Sequence, residues 1–245
     1  FDDDNVPEED TYLPLIETSQ FCAPCHQFSM WGTPIYQSFK EWLESPYPAM
    51  GVECQTCHMP PDGVMTNVAP GFGGVERDPM TIHAHTQPGA ADVELLQNTV
   101  SMTLSARQVV DRLQVAVTIT NTQAGHHVPT DHPARNMILV VRATDDQQRA
   151  LAQIAGPTVP DWGGVGSDPN DYAGRPGKGY AKVLRDVASG EAPVASYWKQ
   201  VLIQSDNRLA AFEADTTTCD FLVPEGGGDV EVEATLIFRR AFKPL

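Results

Sequence analysis

Cys22-Ala23-Pro24-Cys25-His26 and Cys54-Gln55-Thr56-Cys57-His58 carry one pattern twice, Cys-x-x-Cys-His. Two cysteines at this spacing bridge one porphyrin edge through its vinyl groups, and the following histidine turns its imidazole under the iron. With 5 cysteines and 7 histidines in 245 residues, random order produces only about 0.003 copies of this spacing. Two other chemistries use paired cysteines. Zinc takes four thiolates, which Cys22, Cys25, Cys54 and Cys57 could supply, but it has no use for a histidine after each pair. A thioredoxin-like redox pair belongs at a strand–helix junction of a βαβ unit, and the sequence has no such pattern around either motif. The reading is two covalently attached haem c groups. Cys22, Cys25, Cys54 and Cys57 attach them, and His26 and His58 are the first iron ligands.

Working outward, residues 1–97 contain all four motif cysteines, many prolines and glycines, and little alternation. One helix is expected between the motifs. Thr33 would cap it, Pro34 suits its first turn, and Ile35, Phe39, Trp42 and Leu43 recur at helical spacing before Ser45-Pro46 stops it. Its aromatic stripe suits a porphyrin face or an ordinary core equally. With so little regular structure, the haems must supply much of this region's apolar core.

From residue 98 the rhythm changes to period two. Leu113, Val115, Val117 and Ile119 alternate with polar or small residues, and so do Val230, Val232, Ala234, Leu236 and Phe238. Asn136–Thr144 is more continuously apolar, and Thr99–Leu104, Tyr197–Gln204 and Cys219–Val223 are further strand candidates. Short strands with turn-rich spacers, including Pro224–Asp229, predict an antiparallel immunoglobulin-like β-sandwich. The fold expected is therefore α+β multidomain: an irregular, partly helical dihaem domain over 1–97, then a β-sandwich domain over 98–245. The spacer Gly156–Gly179 is long for a compact domain and is expected to cover a haem edge or a neighbouring subunit. Cys219 reads as a small buried residue of a strand.

Each iron needs a second ligand. Five more histidines stand in two clusters, His83-Ala84-His85 and Gly125-His126-His127 with His132 close by. Met30, Met50, Met59, Met65 and Met80 are the rivals. Paired imidazoles lower a haem's potential, methionine raises it, and an open position suits ligand binding or peroxide chemistry. Arg77 and Arg135 lie near the two clusters, and at least one is expected to pair with a haem propionate.

Charge narrows the partners. Against 32 acidic side chains there are 16 basic ones, so a phosphate backbone is repelled and nucleic acid is not expected. No apolar run approaches the roughly 18 residues of a transmembrane helix. The acidic start at Phe1 reads as a mature chain whose signal peptide was cleaved on export, because haem c is attached outside the cytoplasm.

Ser19-Gln20-Phe21-Cys22-Ala23-Pro24-Cys25-His26-Gln27-Phe28 and Glu41-Trp42-Leu43-Glu44-Ser45-Pro46-Tyr47, continuing into Gly51-Val52-Glu53-Cys54-Gln55-Thr56-Cys57-His58-Met59-Pro60, resemble a family of multihaem cytochromes c related to the cytochrome c554 group. His85-Thr86-Gln87-Pro88-Gly89 is similar to the family's His-x-Phe-x-Gly element with Gln87 replacing the aromatic. Gly125–Asp131 is similar to its Gly-His-x-x-Pro-Thr-Gly element with Asp131 replacing the last glycine. Gly174–Ala181 and Asp206–Leu209 resemble its β-domain. The resemblance implies His85 and His126 as distal ligands, with His83 and His127 as their immediate substitutes. It implies an extracytoplasmic, periplasmic or extracellular dihaem cytochrome that carries electrons between redox partner proteins, which include other multihaem cytochromes or copies of itself. The rival classes are a haem enzyme, such as a dihaem peroxidase or a reductase subunit, and a self-assembling cytochrome that conducts between subunits.

Overall fold

A computed structural model describes residues 13–224 and 228–243. The acidic start and the middle of the expected Pro224–Asp229 spacer lie outside these. The motif region is short pieces: α1 (Ala23–His26), β1 (Phe28–Met30), β2 (Thr33–Tyr36), α2 (Ser38–Leu43), α3 (Cys54–His58) and α4 (Val93–Thr99). Both Cys-x-x-Cys-His motifs form one helical turn, and in the first the Cys25 and His26 amides donate to the Cys22 carbonyl. Residues three and four apart share a helix face, so each turn gathers its two thiols and its imidazole on one side.

The helix expected from Thr33 is corrected. Thr33–Tyr36 is a strand that pairs antiparallel with Phe28–Met30, and the helix begins only at Ser38. Thr33 and Ile35 are buried while Pro34 and Tyr36 are half-buried, which is the period of a strand. Proline is tolerated on such a short edge strand because it needs no ladder donor there. Ile35 is consequently not part of the aromatic stripe. It packs with Leu184, Val194 and Val201.

The rest of the chain is predominantly antiparallel β. It contains β3 (Val100–Val109), β4 (Arg112–Asn121), β5 (Asn136–Thr144), β6 (Gln153–Ala155), β7 (Gly177–Asp186), β8 (Val201–Asp206), β9 (Ala214–Leu222) and β10 (Glu231–Arg239). One four-stranded sheet runs β3-β4-β9-β6 and the other β10-β5-β7-β8. Alternate residues of both sheets meet in a single core: Leu113, Val115, Val117 and Ile119 of β4, Met137, Leu139 and Val141 of β5, Tyr180 of β7 and Phe221 of β9. Full burial of each such aliphatic or phenyl side chain contributes about 1.5–3 kcal/mol. Cys219 lies in this core, 1% exposed.

The expected Tyr197–Gln204 strand is displaced to Val201–Asp206, and β7 starts inside what reads as spacer. The remaining 156–176 segment covers the outer face of the second sheet. A Cβ added to Gly179 would fall 2.2 Å from the Trp162 ring, and Trp162 packs edge-on against Phe242 at 5.2 Å. Such a lid buries β5 on both faces, which explains its continuous apolar run.

The motif region is tied to this framework through β2. Thr33 Oγ1 donates to the Val201 carbonyl at 2.6 Å, and the buried Lys182 ammonium donates to the Ile35 carbonyl.

Candidate haem sites

The two motifs are joined directly. Ser19 Oγ accepts from the Cys54 amide at 2.9 Å, and the Ser19 amide donates to Glu53 Oε2 at 2.7 Å. Gln55 Nε2 donates to the carbonyls of Ile16 and Thr18, both at 2.9 Å. This stitching brings the Cys22 and Cys54 side chains close enough for each to influence the other's titration. Burial pushes the Cys54 thiol up to about 11 and raises Cys22 as well, so neither behaves as an activated thiolate. Among the described residues no three His, Cys, Asp or Glu side chains form a group that could hold a metal ion.

His58 and His126 face each other. Their ring centroids are 6.2 Å apart and the planes differ by 17°. An imidazole binds a metal at about 2 Å, so two rings on opposite sides of one ion have centroids roughly 6 Å apart. The tautomers agree. His58 Nδ1 lies 2.7 Å from the Pro88 carbonyl oxygen and His126 Nδ1 lies 2.9 Å from that of His127. A carbonyl only accepts, so each Nδ1 carries the proton and donates it, leaving a lone pair on Nε2. Metal-binding histidines are fixed in this way through their second nitrogen. Burial holds the His126 imidazole below its ordinary range, in the neutral form. These residues fit a bis-imidazole haem iron.

The loop that presents His126 is held on several sides. Gly125 packs against aromatic rings, where an added Cβ would come within 3.1 Å of Tyr47 and 3.2 Å of Trp42. Asn121, the last residue of β4, donates to the His126 carbonyl at 2.9 Å. Glu41 of α2, buried, accepts from the His127 amide at 3.2 Å and from Thr130 Oγ1 at 2.6 Å. Arg208 neutralises Glu41 at 2.8 Å and donates to the Pro129 carbonyl at 3.3 Å. Burial pushes the Glu41 carboxyl up, yet Arg208, Thr130 and His127 outweigh it and leave it below the usual range. Sequence reading missed Glu41, Arg208 and the Pro88 carbonyl. A charged residue within an amphipathic pattern reads as surface, and a carbonyl leaves no sequence signal.

His26 has a different second partner. Its Nδ1 lies 3.0 Å from Asp131 Oδ2, and this bond is the main cause that raises its pKa. Among the described residues no other imidazole stands opposite His26 as His126 stands opposite His58. His83 Nδ1 is 2.5 Å from the Met59 carbonyl oxygen, so its exposed ring also presents a lone pair at Nε2. His85 is exposed with no hydrogen-bond partner among the described residues. Between these two, His83 is the ring with fixed orientation. His132 Nδ1 accepts from the Ala134 amide at 3.2 Å, which puts its proton on Nε2, the wrong tautomer for a ligand. His127 Nδ1 lies 3.7 Å from Glu41 Oε1, beyond hydrogen-bond reach. Arg135 Nη1 donates to the Thr130 carbonyl at 3.1 Å. Met50, Met65 and Met80 are exposed.

No family model matches this chain, and no curated protein does. Among solved structures it is similar to a penta-heme cytochrome c552 from Thermochromatium tepidum, with a TM-score of 0.62 and 26% sequence identity over 94% of this chain. The chain spans about half of that protein's length, the match covering 50% of it. The relationship is to multihaem cytochromes c.

Proposed function

We propose that the chain is a dihaem c-type cytochrome that transfers electrons between redox partners outside the cytoplasm. The observation that carries this reading is the opposition of His58 and His126 at 6.2 Å, each with Nδ1 tied to a carbonyl. Covalent haem c would supply one-electron iron chemistry. Cys22, Cys25 and His26 would hold one haem, and Cys54, Cys57, His58 and His126 the other. The neighbouring Cys22 and Cys54 thiols would put the two macrocycles edge to edge, short of any need for a mobile carrier. Residues 1–97 form the haem domain in this reading. Residues 98–245 form an immunoglobulin-like sandwich whose Gly125–Thr130 loop closes the second iron site in this reading. Haem attachment outside the cytoplasm would follow export of the chain.

The test is direct. Mass measurement of the denatured protein should show two haem additions, and electron paramagnetic resonance should show low-spin ferric iron with two imidazoles at the haem held by His58. Fewer additions, or a high-spin signal from that haem, would overturn the reading.

A second reading, a cytochrome that assembles with copies of itself, is favoured by His83 alone. Its ring is exposed and oriented, and the first iron has no opposed imidazole among the described residues. There His83→Ala should both dissociate the assembly in sedimentation and alter the spectrum of the haem on His26.

A further inference from the structure

We propose that Asp131 lowers the reduction potential of the haem held by His26, an effect that the haem on His58 does not receive. The inference rests on the dihaem reading above and concerns what the chain does to each iron. The two motif histidines differ in what accepts their Nδ1 proton. His58 donates to the neutral carbonyl of Pro88 at 2.7 Å. His26 donates to a carboxylate, Asp131 Oδ2, at 3.0 Å. A charged acceptor draws the Nδ1 proton away, leaves more electron density at Nε2 and so stabilises ferric over ferrous iron.

The carboxylate is placed deliberately. Its other oxygen accepts from Ser38 Oγ at 2.9 Å. Ser38 Oγ lies 3.0 Å from Thr130 Oγ1, and Thr130 donates to the buried Glu41. The two oxygens of the aspartate are therefore bound from α1, by His26, and from α2, by Ser38. Its backbone φ is +67°, in the left-handed region that glycine occupies without cost and that aspartate and asparagine tolerate better than other residues. A side chain kept at such a position is explained by the bonds it makes, here to His26 and Ser38.

Asp131 is a positioning residue that acts through His26.

A spectroelectrochemical titration of the intact holoprotein tests this. The wild type should reduce in two waves. Asp131→Asn keeps the size and the backbone tolerance and removes the charge, its one amide oxygen accepting from His26 and its NH2 turning to the Ser38 hydroxyl oxygen. It should raise the wave of the haem on His26 and leave the other wave in place. Ser38→Ala retains the charge and should move the His26 wave less. His126→Ala should disturb only the wave of the haem on His58, which assigns the waves to their haems. A His26 wave that does not move in Asp131→Asn overturns the proposal, and so does an equal shift of both waves, which would be a general charge effect. Alkaline pyridine absorbance counts haems in the same samples. Fewer than two per chain overturns the dihaem reading itself, which a potential that fails to shift does not.

Discussion

In the two sheets Val115, Val117, Ile119, Ile138, Leu139 and Tyr180 are completely buried. Across residues 13–97 the buried hydrophobics are only Ile35, Trp42, Tyr47 and Ile82, while Phe21, Trp31, Met50, Phe72 and Met80 remain exposed. The difference teaches how each region is stabilised. The sheets close a core from their own side chains, with every second residue of β4 contributing. The motif region is held by polar stitching around Ser19, Glu53 and Glu41 and keeps apolar surface turned outward, as a segment would that packs against bulky groups attached to it.

The contrast can be broken most forcefully by removing the attachment points. Protein carrying serine at Cys22, Cys25, Cys54 and Cys57 should lose amide protection throughout residues 13–97, whereas β4, β5, β7 and β9 should keep theirs in hydrogen exchange. Equal protection in both regions would mean that the motif region stands by itself.

Next in size is the joint between the regions. His126→Ala should turn the haem on His58, and only that one, to a high-spin or externally ligated form, and His127→Ala should leave that haem low-spin. Identical optical spectra for the two variants would show that His126 is not a ligand.

Glu41→Ala leaves Arg208 beside an empty position in a site where both partners are buried. Removing one member of a buried pair costs about 3–5 kcal/mol. The loss here is expected at the lower end, since Asp206 still pairs Arg208 at 2.7 Å. Denaturant unfolding measures it, and a loss below about 1 kcal/mol would sever Glu41 from the joint.

The smallest effect concerns pH. Burial, with Arg208 nearby, pushes the Lys182 ammonium down to about 8 from 10.5. Below pH 8 the lysine is charged in both states, and the folded state carries the full cost of burying that charge. Between pH 8 and 10.5 the folded protein sheds the proton while the unfolded chain keeps it, so this group makes stability rise with pH, by about 3 kcal/mol in all. Unfolding midpoints from pH 7 to 9.5 should therefore climb more steeply in the wild type than in Lys182→Met. Parallel slopes would show that the lysine is not what couples β7 to β2.

Local rules were enough wherever a signal repeats along the chain. Each Cys-x-x-Cys-His motif is one helical turn, and recognising it needs no partner from elsewhere. The alternation of Leu113, Val115, Val117 and Ile119 matches the strand observed at Arg112–Asn121, and Asn136–Thr144 is β5 with the bounds expected. The Thr33–Leu43 helix was misread at its start because Ile35 answers to Leu184 and Val201 across the fold, not to Phe39 along it.

Among the five non-motif histidines the motif resemblance points to His85 and His126, while no local period says what each ring meets. His126 and His127 are adjacent in sequence, and in the fold it is the His126 ring whose centroid lies 6.2 Å from that of His58. The sequence by itself determined the two Cys-x-x-Cys-His motifs, the β-rich second part and the excess of acidic over basic side chains, because each is legible without any contact across the fold. Tertiary structure alone decided which ring nitrogens carry lone pairs, that Glu41 and Arg208 brace the His126 loop, and that Asp131 meets His26. Those are contacts between residues distant in the chain, set by how a strand end, a helix and a loop pack, and no local period encodes them.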